Sequence, residues 1–503
     1  MVNLNWKGKP ENKRISSENQ KEFPFQIIEI HHLIQQQIVN RKFNKSWENL
    51  LIWGDNLPIM SHLLKDFKGK INLIYIDPPF YTGGDFNYKI QIGEKEISKK
   101  SKHWIRIKAY SDCWKNGLES YLNFIYERLL LMKELLAHNG SIYIHLDWHV
   151  SHYVKIMLDE IFGIENFRNE IIWAYPAASV QTRRFFMRSF DILLFYSKSD
   201  DYIFNDDPNI YMEYSDRVKM ALKEDNKGIY YYRGGSHNGK KLSRKVYIKN
   251  QGIFPRDVWN DIPYVRANTL EYQGFSTQKP ERLLKRIILA STNENNLVAD
   301  FFCGSGTTLT VAEKLGRRWI GSDLSQQAIH MTRKRLLDIH NSNDIYKWNE
   351  NFNKKPQYFK ILKLIEIVDE PIIPIDFLTE NAKEIDFLKM AGNITFNIKI
   401  KKKEKKILIV LCNYTIPFIN FISENVKQFI SSFSDWIDYW SIDFNFQDNS
   451  FNNMWASYRT PKKRRLSLIA SFNYKKPGDY QILVKVIDIF GIETIQSYTV
   501  KII

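Results

Sequence analysis

The chain reads as an α/β protein: a mostly parallel sheet with helices on both faces, one inserted region, and a β-rich C-terminal domain. Three observations predict this. Short apolar runs alternate with amphipathic helical patterns between residues 47 and 340. Two of those runs end in loops dense with polar chemistry. From about residue 345, turn-separated alternating segments replace the helices.

Residues 1–46 are polar and form an arm, with a helix-like stretch from Ile27 to Val39. The strand signal Leu73-Ile74-Tyr75-Ile76 then runs into Asp77-Pro78-Pro79-Phe80. Two prolines remove two backbone donors and fix φ, so the chain leaves the sheet in a stiff bend whose carbonyls are free to accept. One carboxylate and one ring at such a bend suit an amino group on a flat heterocycle. The amine would donate one hydrogen to Asp77 and the other to the carbonyl of Pro78, with Phe80 stacked on the ring. Taken alone, Asp-Pro-Pro is equally a common strand exit.

From Tyr121 to Leu136 apolar residues recur at three- and four-residue intervals, and Gly140 reads as a stop before a strand at 141–146. A further helix begins near Pro280, with Leu283, Leu284, Ile287 and Ile288 on one face. Parallel strands joined by helices place a ligand crevice at their carboxyl ends. Asp77 is therefore expected to meet the second motif in space.

That motif, Asp300-Phe301-Phe302-Cys303-Gly304-Ser305-Gly306-Thr307-Thr308, follows the apolar run Asn296–Ala299 and enters a helix-like segment, Leu309–Leu315. Gly304 and Gly306 permit positive φ, and the helix start offers unpaired N–H groups. Thr307 stands where a phosphate loop has lysine, and the third glycine of a dinucleotide fingerprint is absent. After Arg318-Trp319-Ile320-Gly321, Asp323 occupies a second strand end, where an acid accepts from ribose hydroxyls. A nucleoside without a phosphate chain fits best, and S-adenosylmethionine is the common one.

With these motifs in this order, the chain resembles the β group of amino-methylating DNA methyltransferases. The likeness extends to Trp53-Gly54-Asp55-Asn56, to Gly140–Asp147 and to Thr277-Gln278-Lys279-Pro280, and covers most of residues 47–340. The run from Asp77 through Thr82-Gly83-Gly84-Asp85-Phe86 is particularly similar to modification subunits of type III restriction systems. The resemblance implies a Rossmann-like fold and methyl transfer from S-adenosylmethionine to adenine N6 in duplex DNA, within a restriction-modification or related system. Cytosine N4 or RNA methylation and a catalytically idle DNA-binding subunit remain the alternatives. It implies Asp77, Pro78, Pro79 and Phe80 as the catalytic set and Phe302, Gly304 and Gly306, with Asp300, Ser305 and Thr307, as the cofactor loop. Asp323 is assigned to ribose, Lys279 to an adjoining motif, and Asp55 either to adenine or to a plain loop acid. Phenylalanine at 80 departs from the family's usual tyrosine, which keeps the stacking surface and removes a hydroxyl.

The same resemblance divides the chain into an arm (1–46), a catalytic half (47–200), a target-recognition region (201–275), a cofactor half (276–344) and an accessory domain (345–503). The recognition region, with Arg233-Gly234-Gly235-Ser236-His237 and the basic residues after it, reads as flexible polar loops suited to base-edge and phosphate contacts, or as a solvated insert. Residues 86–118 are expected to border the target pocket. Lys462-Lys463-Arg464-Arg465 fits a DNA backbone contact and a solvated edge equally well.

Lys and Arg total 72 against 56 Asp and Glu, a formal charge of +16, which favours a polyanionic partner; lysine excess from an AT-rich genome is the competing source. Three dispersed cysteines suggest neither zinc nor a disulfide framework and fit a reducing cytoplasm. No apolar stretch has membrane-spanning length and no signal peptide is evident, so a soluble cytoplasmic protein is expected. Duplex DNA is the expected partner; a restriction subunit and a homodimer are left open. His145, Asp147 and His149 alternate as metal ligands on a strand face would, but methyl transfer needs no metal, and none is assigned.

Overall fold

The computed structural model describes residues 4–10, 25–31, 47–94, 104–175, 184–237, 240–248, 252–267, 269–365, 392–447 and 449–503. Its centre is an 11-stranded sheet. From one edge the order is Val258–Trp259, Phe167–Ala174, Phe190–Ser197, Leu136–Leu146, Ile71–Ile76, Leu297–Asp300, Arg318–Asp323, Asn49–Trp53, Phe359–Leu364, Phe25–His31 and Asn452–Asn453. The run from Leu136–Leu146 to Phe359–Leu364 is parallel throughout.

Strand side chains alternate between the two faces. Ile74 and Ile76 pack with helices Asn56–Phe67, Gly117–Leu135 and Ser151–Phe162. Leu73 and Tyr75 pack on the opposite face with Glu281–Ser291, Thr307–Lys314 and Gln326–Leu337. The helix expected near Pro280 spans Glu281–Ser291, and its four predicted core residues are fully buried. Strand Ile71–Ile76 pairs with Leu297–Asp300 through Leu73↔Val298 and Ile74↔Ala299, so Asp77 and Phe301 leave neighbouring carboxyl ends.

Three local expectations are corrected. Residues from Ile27 to His31 are strand, not helix: Phe25–His31 pairs antiparallel with Phe359–Leu364. A short isoleucine-rich run fits both periods, and sheet pairing decides; residues 32–39, the rest of the expected helix, lie outside the described residues. Gly140 does not precede its strand but lies inside Leu136–Leu146, at a register shift against Ile71–Leu73, where a Cβ would stand 2.8 Å from the Ile71 carbonyl oxygen. Arg233–His237 is not loop but part of strand Gly228–His237, paired with Lys240–Tyr247. The neighbouring Tyr230, Tyr231, Tyr232 and Val246 favour a pleated ribbon, and the glycines are carried within it.

The described residues between 392 and 503 form strand-rich structure in two antiparallel sheets, Thr395–Lys403, Lys406–Thr415 and Ile469–Asn473 against Trp455–Tyr458, Ile437–Asp443, Gly478–Asp488 and Glu493–Ile502, around one apolar core. The basic run at 462–465 is partly internal. Arg464 is buried, donating to the carbonyls of Gln91 and Gly93, and Lys462 Nζ donates to Asn341 O at 2.6 Å. No helix among the described residues is long and apolar enough to cross a membrane.

Candidate active site

The two motifs open into one cavity of about 560 Å³ at the carboxyl edge of the sheet, lined among others by Asp77, Pro79, Lys279, Phe302, Gly304 and Asp323. Asp55, Asp300, Ser305 and Thr307 also face it. Pro78 is buried behind the bend, and the Phe80 ring lies near-parallel to His145, with centroids 6.1 Å apart. Every predicted site residue is thus at this sheet edge, although they do different work.

Asp77 is largely buried. Its Oδ2 accepts from Lys279 Nζ at 2.6 Å, while Oδ1 is buried with no hydrogen-bond partner. A buried carboxylate oxygen without a donor is costly, and it is an acceptor prepared for a ligand N–H. Lys279, assigned from the resemblance to a motif adjoining the cofactor loop, lines the same cavity and places its ammonium on this acid and 5.4 Å from the Phe80 ring centroid.

The bend is held from outside the motif. Tyr81 has φ 62°, and buried Asp112 accepts from Tyr81 N (3.1 Å), Thr82 N (2.7 Å), Thr82 Oγ1 (2.8 Å) and Trp114 Nε1 (2.8 Å). Asp112 belongs to the insert expected to border the pocket, which folds as the hairpin Asp85–Gln91 and Trp104–Ser111 and supplies Tyr110 to the lining.

On the other side, Gly304 (φ 49°) and Gly306 (φ 73°) turn the loop into helix Thr307–Lys314. The acids of this loop brace it. Asp300 accepts from Phe302 N at 3.0 Å and Thr308 Oγ1 at 2.5 Å, and burial pushes its carboxyl up to about 7. Asp323 accepts from Gly304 N at 2.8 Å and Ser325 N at 2.9 Å, and burial raises its pKa as well. Each oxygen keeps lone pairs for ligand hydroxyls. Thr307 Oγ1 donates to Lys279 O and accepts from Arg335, tying the loop to the segment that carries Lys279. Asp55 caps helix Asn56–Phe67 and pairs with Arg128 at 2.8 Å.

Sequence reasoning did not assign the roles of three groups. Arg128 bonds Asp55 and Asn56, and Asn56 in turn donates to Phe301 O at 2.7 Å. A guanidinium on the buried stripe of helix Gly117–Leu135 was the available signal. Asp112 had no spacing signature. Tyr75, His145 and Asp191 form a buried relay, with Tyr75 Oη 2.9 Å from His145 Nδ1 and His145 Nε2 3.0 Å from Asp191. His145 thus bonds Tyr75 and Asp191 while His149 bonds Asp147, and no cluster of metal-ligating side chains occurs among the described residues.

A family model described as DNA methylase matches residues 71–334, just over half of the chain and both loops of the cavity. The chain belongs to the DNA methylase family. It is 32% identical over 331 residues to the type II methyltransferase M.EcaI of Enterobacter cloacae, covering 57% of this chain and 69% of that protein. It is 30% identical over 287 residues to the DNA adenine methyltransferase YhdJ of Escherichia coli, covering 57% and 82%. The Mod subunit of the type III restriction-modification enzyme StyLTI of Salmonella typhimurium is 26% identical over 329 residues, covering 53% of this chain and 50% of that subunit. The resemblance read from the motifs therefore holds for this DNA methylase, and its family implies S-adenosylmethionine as cofactor.

Proposed function

We propose that this DNA methylase transfers a methyl group to the N6 amino group of an adenine flipped out of duplex DNA. The single observation that carries the proposal is the unpartnered, buried Asp77 Oδ1 in the cavity that also holds the Gly304–Gly306 loop. S-adenosylmethionine supplies an electrophilic methyl group on a sulfonium centre. The residues fit such a group: a glycine turn admits close approach to the backbone, Asp323 lies at a strand end where ribose hydroxyls need acceptors, and about 560 Å³ suits a nucleoside with its side chain.

Asp77 Oδ1 accepts one amino hydrogen and the Pro78 carbonyl the other. Two acceptors on an exocyclic amine favour a pyramidal nitrogen and localise its lone pair. Displacement at an activated methyl then depends on position more than on a strong base. Lys279 fixes the carboxylate so that Oδ1, not Oδ2, faces the amine. Once the nitrogen is methylated, Asp77 is the nearest acceptor for the surplus proton. Phe80 offers a face on which an extruded base stacks, which offsets part of the stacking lost from the duplex.

Domain boundaries belong to the same proposal: a catalytic half at 47–200, recognition at 201–275, a cofactor half at 276–344 and an accessory domain within 345–503, from which strand Phe359–Leu364 is excluded because it pairs with Asn49–Trp53 in the central sheet. A restriction subunit as partner is supported by the StyLTI Mod similarity. The test is incubation of the purified full chain with duplex DNA and methyl-labelled S-adenosylmethionine, followed by nucleoside analysis. N6-methyladenine supports the proposal; N4-methylcytosine moves the target base; no labelled DNA overturns it.

A further inference from the structure

The family match ends at residue 334, yet the cavity has a wall from far beyond it: Phe490, Gly491 and Ile492 line it beside Asp323, Leu324 and Gln327. These residues form the tip between strands Gly478–Asp488 and Glu493–Ile502. The tip is built to hold its shape. Asp488 Oδ1 accepts from both Phe490 N and Ile492 N at 2.9 Å, Gly491 N donates to Asp488 O at 3.0 Å, and Tyr414 Oη bonds Asp488 Oδ2 at 3.1 Å. The buried Phe490 ring packs near Trp436 and Phe418, with centroids 6.0 and 6.3 Å away.

The tip is also fastened to the cofactor half. Gln327, in the first turn of the helix that follows Asp323, donates to Phe490 O at 2.5 Å. Gly491 sits at φ 85°, a conformation other residues rarely adopt, and a Cβ there, 1.6 Å from Gln327 Nε2, would push the Gln327 amide off Phe490 O. Farther along the same helix, His330 meets Asp438 at 2.8 Å, Lys334 meets it too, and Arg333 pairs with Glu29 at 3.2 Å, the same acid that Lys485 reaches at 3.1 Å. These contacts are largely buried and fix the C-terminal strands against helix Gln326–Leu337, whose first residues Gln326 and Gln327 line the cavity.

We infer that the Phe490–Ile492 tip is a wall of the cofactor site at its nucleoside end, so that the C-terminal domain sets cofactor affinity. The inference rests on the cavity's reading as an S-adenosylmethionine site. Ile492, partly exposed, lines the cavity together with Phe490, Leu324 and Trp53, whose Nε1 donates to Leu324 O at 3.1 Å; a purine ring there needs apolar cover that excludes water. Polar hydroxyl acceptors come from Asp323; the tip adds apolar surface and the Gly491 backbone.

The test is calorimetric binding of S-adenosylmethionine to the full chain, wild type and Ile492→Ala, with hydrogen exchange of the wild type with and without S-adenosylhomocysteine. Ile492→Ala is expected to bind about tenfold more weakly, the equivalent of one or two lost methylene contacts, with its unfolding transition unchanged. Added ligand is expected to slow exchange at 488–493 together with 300–308. Absence of binding by the wild type overturns the cavity's reading and the inference with it. Wild-type binding matched by Ile492→Ala, or protection confined to 300–308, overturns the inference alone. Should Ile492→Ala fail to fold, the exchange pattern of the wild type decides.

Discussion

Replacing Gly306 by alanine probes the turn on which the cofactor loop depends. Gly306 sits at φ 73° and ψ 24°, immediately before helix Thr307–Lys314. An alanine in the left-handed region costs roughly 1–2 kcal/mol. Its Cβ would also lie 2.6 Å from both Cγ2 and Oγ1 of Thr332 and 3.0 Å from Thr332 Cβ. Thr332 is fully buried, and its hydroxyl donates to Gly304 O at 3.1 Å, so it cannot turn away without releasing the same loop. Overpacking of this kind adds about 1–3 kcal/mol. Gly306→Ala should therefore lose about 2–5 kcal/mol in urea unfolding, and calorimetry should show weakened S-adenosylmethionine binding. Thr332→Ala removes the two closest atoms, so the double variant should recover about 1–2 kcal/mol of that loss. A Gly306→Ala protein within about 0.5 kcal/mol of wild type, with unchanged binding, would refute the reasoning.

Asp112→Ala strips four donors of their acceptor at the catalytic bend. At about 1 kcal/mol per bond, a loss of about 3–5 kcal/mol is expected, with faster proteolysis near Thr82 and reduced turnover; normal turnover counts against the clamp. Arg128→Met leaves Asn56 Oδ1 without its donor and Asp55 without its ion pair. It should destabilise by about 2–4 kcal/mol and weaken cofactor binding, which denaturation and calorimetry measure separately. Asp300 carries a pH dependence. Burial raises its folded pKa to about 7, and Asp77 and Asp323 add to the rise. The unfolded carboxyl releases its proton first, so this group's contribution to stability falls as pH rises from about 4 to 7 and is flat above. Asp300→Asn should flatten that slope by on the order of 4 kcal/mol; parallel pH profiles for the two proteins would sink the assignment.

Much of this site was legible because its chemistry is local. A proline bend after an apolar run and a double-glycine turn before a helix each carry their geometry within a few residues, and parallel pairing brings the two ends together. The braces were not legible because they depend on tertiary closure. Asp112 acts some thirty residues from the bend it holds, and nothing in its own segment marks it. The Asp191 that faces His145 lies on an antiparallel neighbour strand whose partner only the fold selects. Lys279 was visible as a motif residue, yet its role on Asp77 required seeing helix Glu281–Ser291 packed behind the sheet. The arm was misread at Ile27–His31 because a short isoleucine-rich run carries no period long enough to separate helix from strand. The Phe490–Ile492 tip joins two strands of the expected β-rich region, and its place at the cavity was beyond any sequence pattern.

The central claim is that one cavity joins a buried amine acceptor to a cofactor loop, with Asp77 acting on the target and not on the cofactor. Single-turnover methyl transfer by Asp77→Ala, run beside cofactor calorimetry on the same preparation, tests it most directly. Transfer to DNA should fall by at least about 100-fold, while cofactor affinity stays within a few-fold of wild type. Undiminished transfer, or a loss that tracks failed cofactor binding, would contradict it.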